Sequence, residues 1–174
     1  MEDAPAREAP VSLRARRLPR RRDALFLAIA VLVVAADQFT KWLIRQTVEQ
    51  GSAWPADWPV KIVHITNSGA AFGMLQGAGP LLVVASVIGL GAIALYLFNP
   101  EFAHPLTQAG LALMFGGAVG NLIDRVRSGE VVDFVKFPHF WAFNVADSSI
   151  TIGVLLLAWA MLMEGEKKSN AESS

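Results

Sequence analysis

The stretch GGAVGNLIDRVRSGEVVDFVKF (residues 116–137) begins like a membrane helix and then carries five charged residues within ten positions. Its first part places Gly116 and Gly120 four residues apart, a small-xxx-small spacing that is typical of closely packed membrane helices. Its second part is too charged to lie within the hydrocarbon core of a bilayer. The stretch therefore predicts a closely packed helix that leaves the membrane at its polar end.

The composition of the whole chain agrees with a membrane protein. Of its 174 residues, 53% are hydrophobic and only 17% are charged. A helix that crosses a bilayer needs about 20 mostly apolar residues, and four segments meet this requirement, at about 24–44, 80–98, 106–125 and 147–163. We predict an all-α membrane protein in which residues 24–163 form a four-helix transmembrane domain, with a small extracytoplasmic cradle that contains β-structure.

The basic residues predict the orientation of these spans. Seven of the fifteen Lys and Arg residues lie in the first 22 positions, and basic residues beside a first span hold that end in the cytoplasm. Lys167 and Lys168, after the fourth span, agree with this orientation. We expect a disordered basic cytoplasmic arm (residues 1–23), a retained first helix rather than a cleaved signal peptide, and a polar cytoplasmic tail (residues 164–174). Nucleic acid is not needed as a partner for the arm.

Two segments then fall on the outer side of the membrane, residues 45–79 and 126–146. In the first of them, Pro55 and Pro59 exclude a helix interior, and VKIVHIT (residues 60–66) is rich in the β-branched residues of strands. This segment predicts the β-structure of the cradle. The short connection at 99–105 lies on the inner side.

Polar side chains from the first, third and fourth spans and from both outer segments converge near the outer interface. Asp37 and Lys41 stand four residues apart on one helix face and can form an ion pair. Asp147 begins the fourth span, where its carboxylate could serve as the N-cap. Ion and proton transporters carry ionisable groups near the membrane midplane, and no span has a charged residue at its centre. The residues that converge are Asp37, Lys41, Asn67, Asn121, Arg125, Asp133, Asn144 and Asp147.

Two aspartates in a partly dry site suggest hydrolysis by general acid–base catalysis. Repulsion and burial keep one carboxyl protonated while the other is ionised, so that one activates water and the other donates a proton. The chain has no cysteine, no H-E-x-x-H motif and no G-x-S-x-G motif. The three histidines, His64, His104 and His139, are expected at the surface rather than in a metal site. The alternative is a small membrane transporter or a structural membrane protein in which the polar cluster only orients the helices.

Four sequence blocks, in this order, resemble those of the bacterial lipoprotein signal peptidases (signal peptidase II), a family of membrane aspartyl peptidases. The resemblance covers about residues 25–163 and does not include the arginine-rich head. The blocks are DQFTK (residues 37–41), NSGAAFG (residues 67–73), GGAVGNLIDRVRSGEVVDF (residues 116–134) and FNVADS (residues 143–148).

The resemblance implies a reaction and a role for each matched residue. The substrate would be a diacylglyceryl prolipoprotein, cut before its lipidated lipobox cysteine at the extracytoplasmic face of the bacterial plasma (inner) membrane. No metal or organic cofactor is implied, and we expect a monomer that contacts membrane lipids. The implied roles are a catalytic pair (Asp133, Asp147), supporting or substrate-binding residues (Asn67, Gly69, Asn121, Arg125, Asn144) and a structural polar pair (Asp37, Lys41).

Overall fold

Long apolar helices make up most of the described chain. In this computed structural model, the described residues are 21–69, 78–97 and 104–172, and within them each of four helices contains a stretch long and apolar enough to cross a membrane. The prediction of four membrane-spanning helices is therefore confirmed. The helices are α1 (Arg21–Thr47), α2 (Gly79–Leu97), α3 (Pro105–Ser128) and α4 (Val145–Glu172).

The first and fourth helices extend into the segments that were predicted to form the N-terminal arm and the C-terminal tail. The fourth, α4, continues to Glu172, so the segment expected to form a polar tail from residue 164 is largely helical. The Glu, Lys and Ala residues of this segment have high helix propensity, which favours continuation of the helix beyond the apolar span. At the other end of the chain, α1 begins at Arg21, within the predicted arm. The rest of that arm (residues 1–20) and most of the inner connection lie outside the described residues.

The third helix, α3, packs against α1 on one side and α4 on the other through glycines. Gly116 and Gly120 face α1, where a Cβ atom on Gly116 would lie 2.8 Å from the carbonyl oxygen of Ala30. Gly117 faces α4, where a Cβ atom would lie 2.5 Å from the carbonyl oxygen of Ala146. These distances leave no room for a side chain, so the close packing expected from the glycine spacing is confirmed.

A small antiparallel sheet covers the end of the bundle where α1 and α3 finish and α4 starts, which we call the sheet end. Its strand order is β1-β2-β3-β4, and Ile65 of β2 lies opposite Asp133 of β3. Val132 and Phe134 pack with Ile44 of α1 in a hydrophobic cluster. Because successive side chains of a strand point to opposite faces, Asp133 faces away from this cluster. The strands are β1 (Ala53–Trp54), β2 (Lys61–Asn67), β3 (Val131–Lys136) and β4 (Ala142–Phe143).

The close contact between α3 and α4 can be tested with a matched pair of glycines. A Cβ atom on Gly153 of α4 would lie 2.5 Å from the carbonyl oxygen of Gly110, whereas a Cβ atom on Gly91 of α2 has no neighbour within 4 Å. We expect Gly153→Ala to destabilise the protein by roughly 1–3 kcal/mol through overpacking. Gly91→Ala should leave stability unchanged or raise it slightly because alanine favours helices. Equal melting temperatures of both variants in detergent would contradict this packing.

Candidate active site

A cavity of about 490 Å³ lies at the sheet end, between β3, β4, α3 and α4. Aromatic and aliphatic side chains form much of its wall, including Phe140, Trp141, Phe143 and Ile150. Its polar residues include six of the seven that were predicted to catalyse the reaction or to support it. These six are Asn67, Gly69, Asn121, Arg125, Asp133 and Asp147.

Asp133 reaches this cavity from the middle of β3 and is only 3% exposed. Two amide groups hold its carboxyl group. Asn144 Nδ2 donates to Asp133 Oδ1 at 2.8 Å, and Asn67 Nδ2 donates to Asp133 Oδ2 at 3.2 Å. The amide of Asn67 is itself oriented, because its Oδ1 accepts a hydrogen bond from the backbone N–H of Gly69 at 2.9 Å. This arrangement accounts for the place of Gly69 in the predicted site.

The protonation of Asp133 is shifted by its surroundings. Burial is the main cause, and the negative charge of Asp147 adds to it, so that the pKa of the Asp133 carboxyl rises from 3.8 to about 7. The hydrogen bonds from Asn67 and Asn144 and the positive charge of Lys41 oppose this rise. Asp133 is therefore a carboxyl group that can hold a proton near neutral pH.

Asp147 and Asn144 form a reciprocal pair at the start of α4. The backbone N–H of Asp147 donates to Asn144 Oδ1 at 2.9 Å, and the backbone N–H of Asn144 donates to Asp147 Oδ2 at 3.3 Å. This is the geometry of a capping box, so the N-cap is Asn144 and the expectation that Asp147 is the N-cap is wrong. The spacing of Asn144 and Asp147, three residues apart, is the signal in the sequence for this arrangement. Asn144 thereby contacts both aspartates, although it does not line the cavity.

Asn121 of α3 connects the cavity to the interior of the bundle. Its Nδ2 donates to Asp147 Oδ1 at 2.7 Å. Its Oδ1 accepts hydrogen bonds from Asn144 Nδ2 at 3.2 Å and from Lys41 Nζ at 2.9 Å. Both ends of this amide are thus occupied, and its orientation is determined by its neighbours.

A cluster of four charged side chains lies behind Asn121. Lys41 Nζ is 2.8 Å from Asp37 Oδ2, which is the ion pair that the four-residue spacing predicts, and 2.9 Å from Asp124 Oδ2. Arg45 Nη2 is 3.0 Å from Asp124 Oδ1. Asp124 and Arg45 are absent from the predicted site, although Asp124 is three residues from Asn121 and Arg45 is four residues from Lys41. These helical spacings are the signal that could have identified them.

Asp37 also connects the first helix to the last. Its Oδ1 accepts a hydrogen bond from the backbone N–H of Ala146 at 2.9 Å, in the first turn of α4, where backbone N–H groups have no partner within the helix. The same carboxylate therefore pairs with Lys41 and fixes the start of the helix that carries Asp147.

Arg125 contributes positive charge to the wall of the cavity. It lies within electrostatic range of Asp147 and Asp133, and it lines the cavity with them. A guanidinium group in this position can donate hydrogen bonds to carbonyl or carboxylate oxygens of a bound molecule.

No histidine is among the residues that line the cavity. The expectation of a surface position is wrong for His64, which is buried and has its Nδ1 2.8 Å from the carbonyl oxygen of Val48. The carbonyl comes from the end of α1, where a ring N–H can satisfy it. Within residues 21–69, 78–97 and 104–172, no group of three or more His, Asp or Glu side chains could hold a metal ion.

Comparison with known proteins identifies the family. A family model described as signal peptidase (SPase) II matches residues 29–163. The lipoprotein signal peptidase of Bacillus pumilus is 42% identical over 82% of this chain and 95% of that protein. The lipoprotein signal peptidase of Geobacter sulfurreducens is also 42% identical, over 83% of this chain and 96% of that protein. A solved structure described as a bacterial membrane enzyme is 37% identical, with a TM-score of 0.79 over 83% of this chain and 92% of the other.

The family model includes all four sequence blocks that carry the resemblance, since it matches residues 29–163 and the blocks lie within residues 37–148. It also covers the sheet, all of α2 and α3, and most of α1 and α4. The chain therefore belongs to the signal peptidase II family and is a multi-pass membrane enzyme, an aspartic-type peptidase, as its motifs predict.

Proposed function

We propose that Asp133 and Asp147 are the catalytic pair of this peptidase and that they cleave the signal peptide from lipid-modified prolipoproteins. The observation that carries the proposal is the pair itself. Two carboxyl groups from different elements line one cavity and are joined through Asn144, and burial raises the pKa of one of them, Asp133, to about 7. Paired carboxyl groups with this property can divide the roles of acid and base between them.

The surroundings of the two carboxyl groups favour different roles. Asp147 lies in the first turn of α4, where the helix dipole favours negative charge, and it accepts hydrogen bonds from Asn121 and from the backbone of Asn144. Asp133 lies on a strand and is more deeply buried than Asp147, so Asp133 retains the proton. In this scheme, Asp147 takes a proton from the attacking water. Asp133 polarises the carbonyl group of the scissile bond, and the leaving amine then receives a proton from the pair.

The shape of the site supports a substrate that carries lipid. The apolar wall of the cavity contains Phe140 and Phe143, and a neighbouring groove of about 290 Å³ between α2 and α3 shares Arg125 and Ile150 with the cavity. The relatives are named lipoprotein signal peptidases. The substrate is accordingly a diacylglyceryl prolipoprotein, and the bond that is cut precedes its lipidated lipobox cysteine.

The exposed aromatic residues and the charge distribution support a position for the site. Trp42, Trp54 and Trp58 are exposed near the sheet end, and indole rings favour the headgroup region of a bilayer. In the sequence, seven basic residues lie within the first 22 positions, before or at the start of α1, and basic residues beside a first span favour the cytoplasm. Both termini are thus cytoplasmic, and the catalytic pair works at the extracytoplasmic face of the plasma (inner) membrane, in a monomer surrounded by lipid. No observation favours the transporter alternative.

Replacing either aspartate tests the catalytic pair. Asp133→Asn and Asp147→Asn each keep the size of the side chain but remove a group that transfers protons. We expect each to lower turnover of a diacylglyceryl prolipoprotein by roughly a hundredfold or more, with little change in melting temperature. The exposed Asp57 provides a control, because Asp57→Asn should retain full activity. Normal turnover by either purified active-site variant would exclude the proposed mechanism.

The raised pKa of Asp133 predicts a pH dependence. A buried carboxyl with a pKa of about 7 keeps its proton below this pH and loses it above, so kcat/KM should decrease as the pH rises through about 7. Asn67→Ala removes a hydrogen bond that favours the ionised form, and we expect the decrease to move to higher pH. A decrease that remains at the same pH in Asn67→Ala would contradict the proposed role of Asp133.

The groove between α2 and α3 can be closed without disturbing the fold. Gly89 lines this groove, and a Cβ atom there has no neighbour within 4 Å. If the groove receives apolar parts of the substrate, Gly89→Leu should raise KM by roughly tenfold, which corresponds to the loss of about 1.4 kcal/mol. Gly91→Leu is the control, because Gly91 has equal space but does not line the groove. Equal KM values for the two variants would argue against such a role.

A further inference from the structure

Lys41 is a buried charged residue that the proposed mechanism does not use. Its side chain is 0% exposed, and it does not line the cavity. Besides Asp37 and Asp124, its ammonium group contacts the neutral amide of Asn121. We infer that Lys41 is a positioning residue of the peptidase, because it holds Asn121 Oδ1 and thereby directs Asn121 Nδ2 toward Asp147. This inference rests on the proposed function.

The hydrogen bonds of Asn121 show why an ammonium group is suited to this task. A side-chain amide can be rotated so that its oxygen and nitrogen exchange places. Rotation of Asn121 would bring its NH₂ group against two donors, Lys41 Nζ and Asn144 Nδ2, and its oxygen against the Asp147 carboxylate. Since an ammonium group has donors and no acceptor, Lys41 can contact only the oxygen of this amide. The rotated form therefore loses every hydrogen bond that the observed form makes.

The charges of the cluster are balanced without the contact between Lys41 and Asn121. The two carboxylates, Asp37 and Asp124, are balanced by two cations, Lys41 and Arg45. The contact between Lys41 and Asn121 is therefore additional to this charge balance, and it joins the cluster to a residue that lines the cavity. Arg45 differs, since its guanidinium group is bound to Asp124 and its side chain is 35% exposed.

The positive charge of Lys41 also acts on the catalytic pair. It opposes the rise in the pKa of Asp133 that burial causes, so removal of this charge should move the active pH range upward. Other charged or titratable groups lie near Lys41 or near the catalytic pair. They are Asp37, Arg45, Asp124, Arg125, Asp133 and Asp147, and His64 of β2 lies against the end of α1.

The experiment separates positioning from charge neutralisation with a double variant. Asp37→Asn combined with Lys41→Met removes both charges of the pair, and the Oδ1 atom of the new side chain can still accept the N–H of Ala146. We expect this double variant to fold, with kcat reduced roughly ten- to hundredfold and KM almost unchanged. The alkaline limb of its pH profile, where activity falls as Asp133 loses its proton, should move to higher pH, because the charge of Lys41 no longer lowers the pKa of Asp133. Wild-type kcat and pH profile would overturn the inference, since they would show that the pair is only structural.

Two single variants complete the test. Arg45→Met removes a cation from the same cluster without touching Asn121, and we expect a much smaller effect on kcat than in the double variant. Asp37→Asn alone keeps the contact between Lys41 and Asn121, so both kcat and the pH at which activity falls should be largely retained. If the double variant does not fold, the decision rests on Asp37→Asn, and a folded Asp37→Asn enzyme whose kcat falls tenfold or more overturns the inference, because activity would then depend on the ion pair and not on the contact with Asn121.

Failure of the inference can be distinguished from failure of the proposed function. An active Asp133→Asn enzyme would overturn the proposed function, whatever the Lys41 variants show. An inactive Asp133→Asn enzyme together with a wild-type profile for the double variant would overturn only the role of Lys41.

Discussion

The cost of burying a carboxyl group is the constraint on which this structure depends. Four aspartates lie inside the sheet end, and a buried ionised carboxylate needs compensation by a cation or by hydrogen bonds. Asp37 and Asp124 are compensated by Lys41 and Arg45. The other two, Asp133 and Asp147, are held mainly by neutral amide groups. The same type of residue is thus kept charged in one place and poised for proton transfer in another.

The glycines of α3 make this arrangement possible, because they bring the two clusters close together. A Cβ atom on Gly120 would lie 2.6 Å from Asp37 Oδ2, so a larger residue would push α1 away from α3. Greater separation would draw Lys41 away from Asn121, which is one residue beyond Gly120. Close helix packing and the geometry of the polar site are therefore consequences of the same few positions in one helix.

Much of the architecture could be predicted from the sequence because it depends on local patterns. Apolar length identifies the four spans, and β-branched residues after two prolines identify β2. The pairing of Asp37 with Lys41 follows from helical spacing. Asp147 is the wrong residue for the N-cap of α4. Asn144 and Asp147 both suit the start of a helix, and their three-residue spacing fits a capping box, but the contacts of the backbone N–H groups are what identify Asn144 as the cap.

The parts that could not be predicted depend on distances between separate elements. Helical spacing places Asp124 near Asn121 and Arg45 near Lys41, but the ion pair between Asp124 and Arg45 joins two different helices near their ends, where each charge can equally well be solvated. His64 has no pattern in the sequence that marks it as buried, since its partner is the carbonyl oxygen of Val48, sixteen residues away. Such contacts follow from how α1 meets the sheet, which is decided by the packing of Ile44, Val132 and Phe134.

The position of the site at the end of the bundle reconciles two opposing requirements. Hydrolysis needs water and a carboxylate that can ionise, whereas lipid attached to a substrate stays in the hydrocarbon. At the centre of the bilayer, an unpaired carboxylate would remain protonated and could not act as a base. In water, neither carboxyl would hold a proton at neutral pH. A cavity with apolar walls and amide donors, at the level where the helices leave the bilayer, lies between these limits and allows one carboxyl of the pair to be ionised while the other is not.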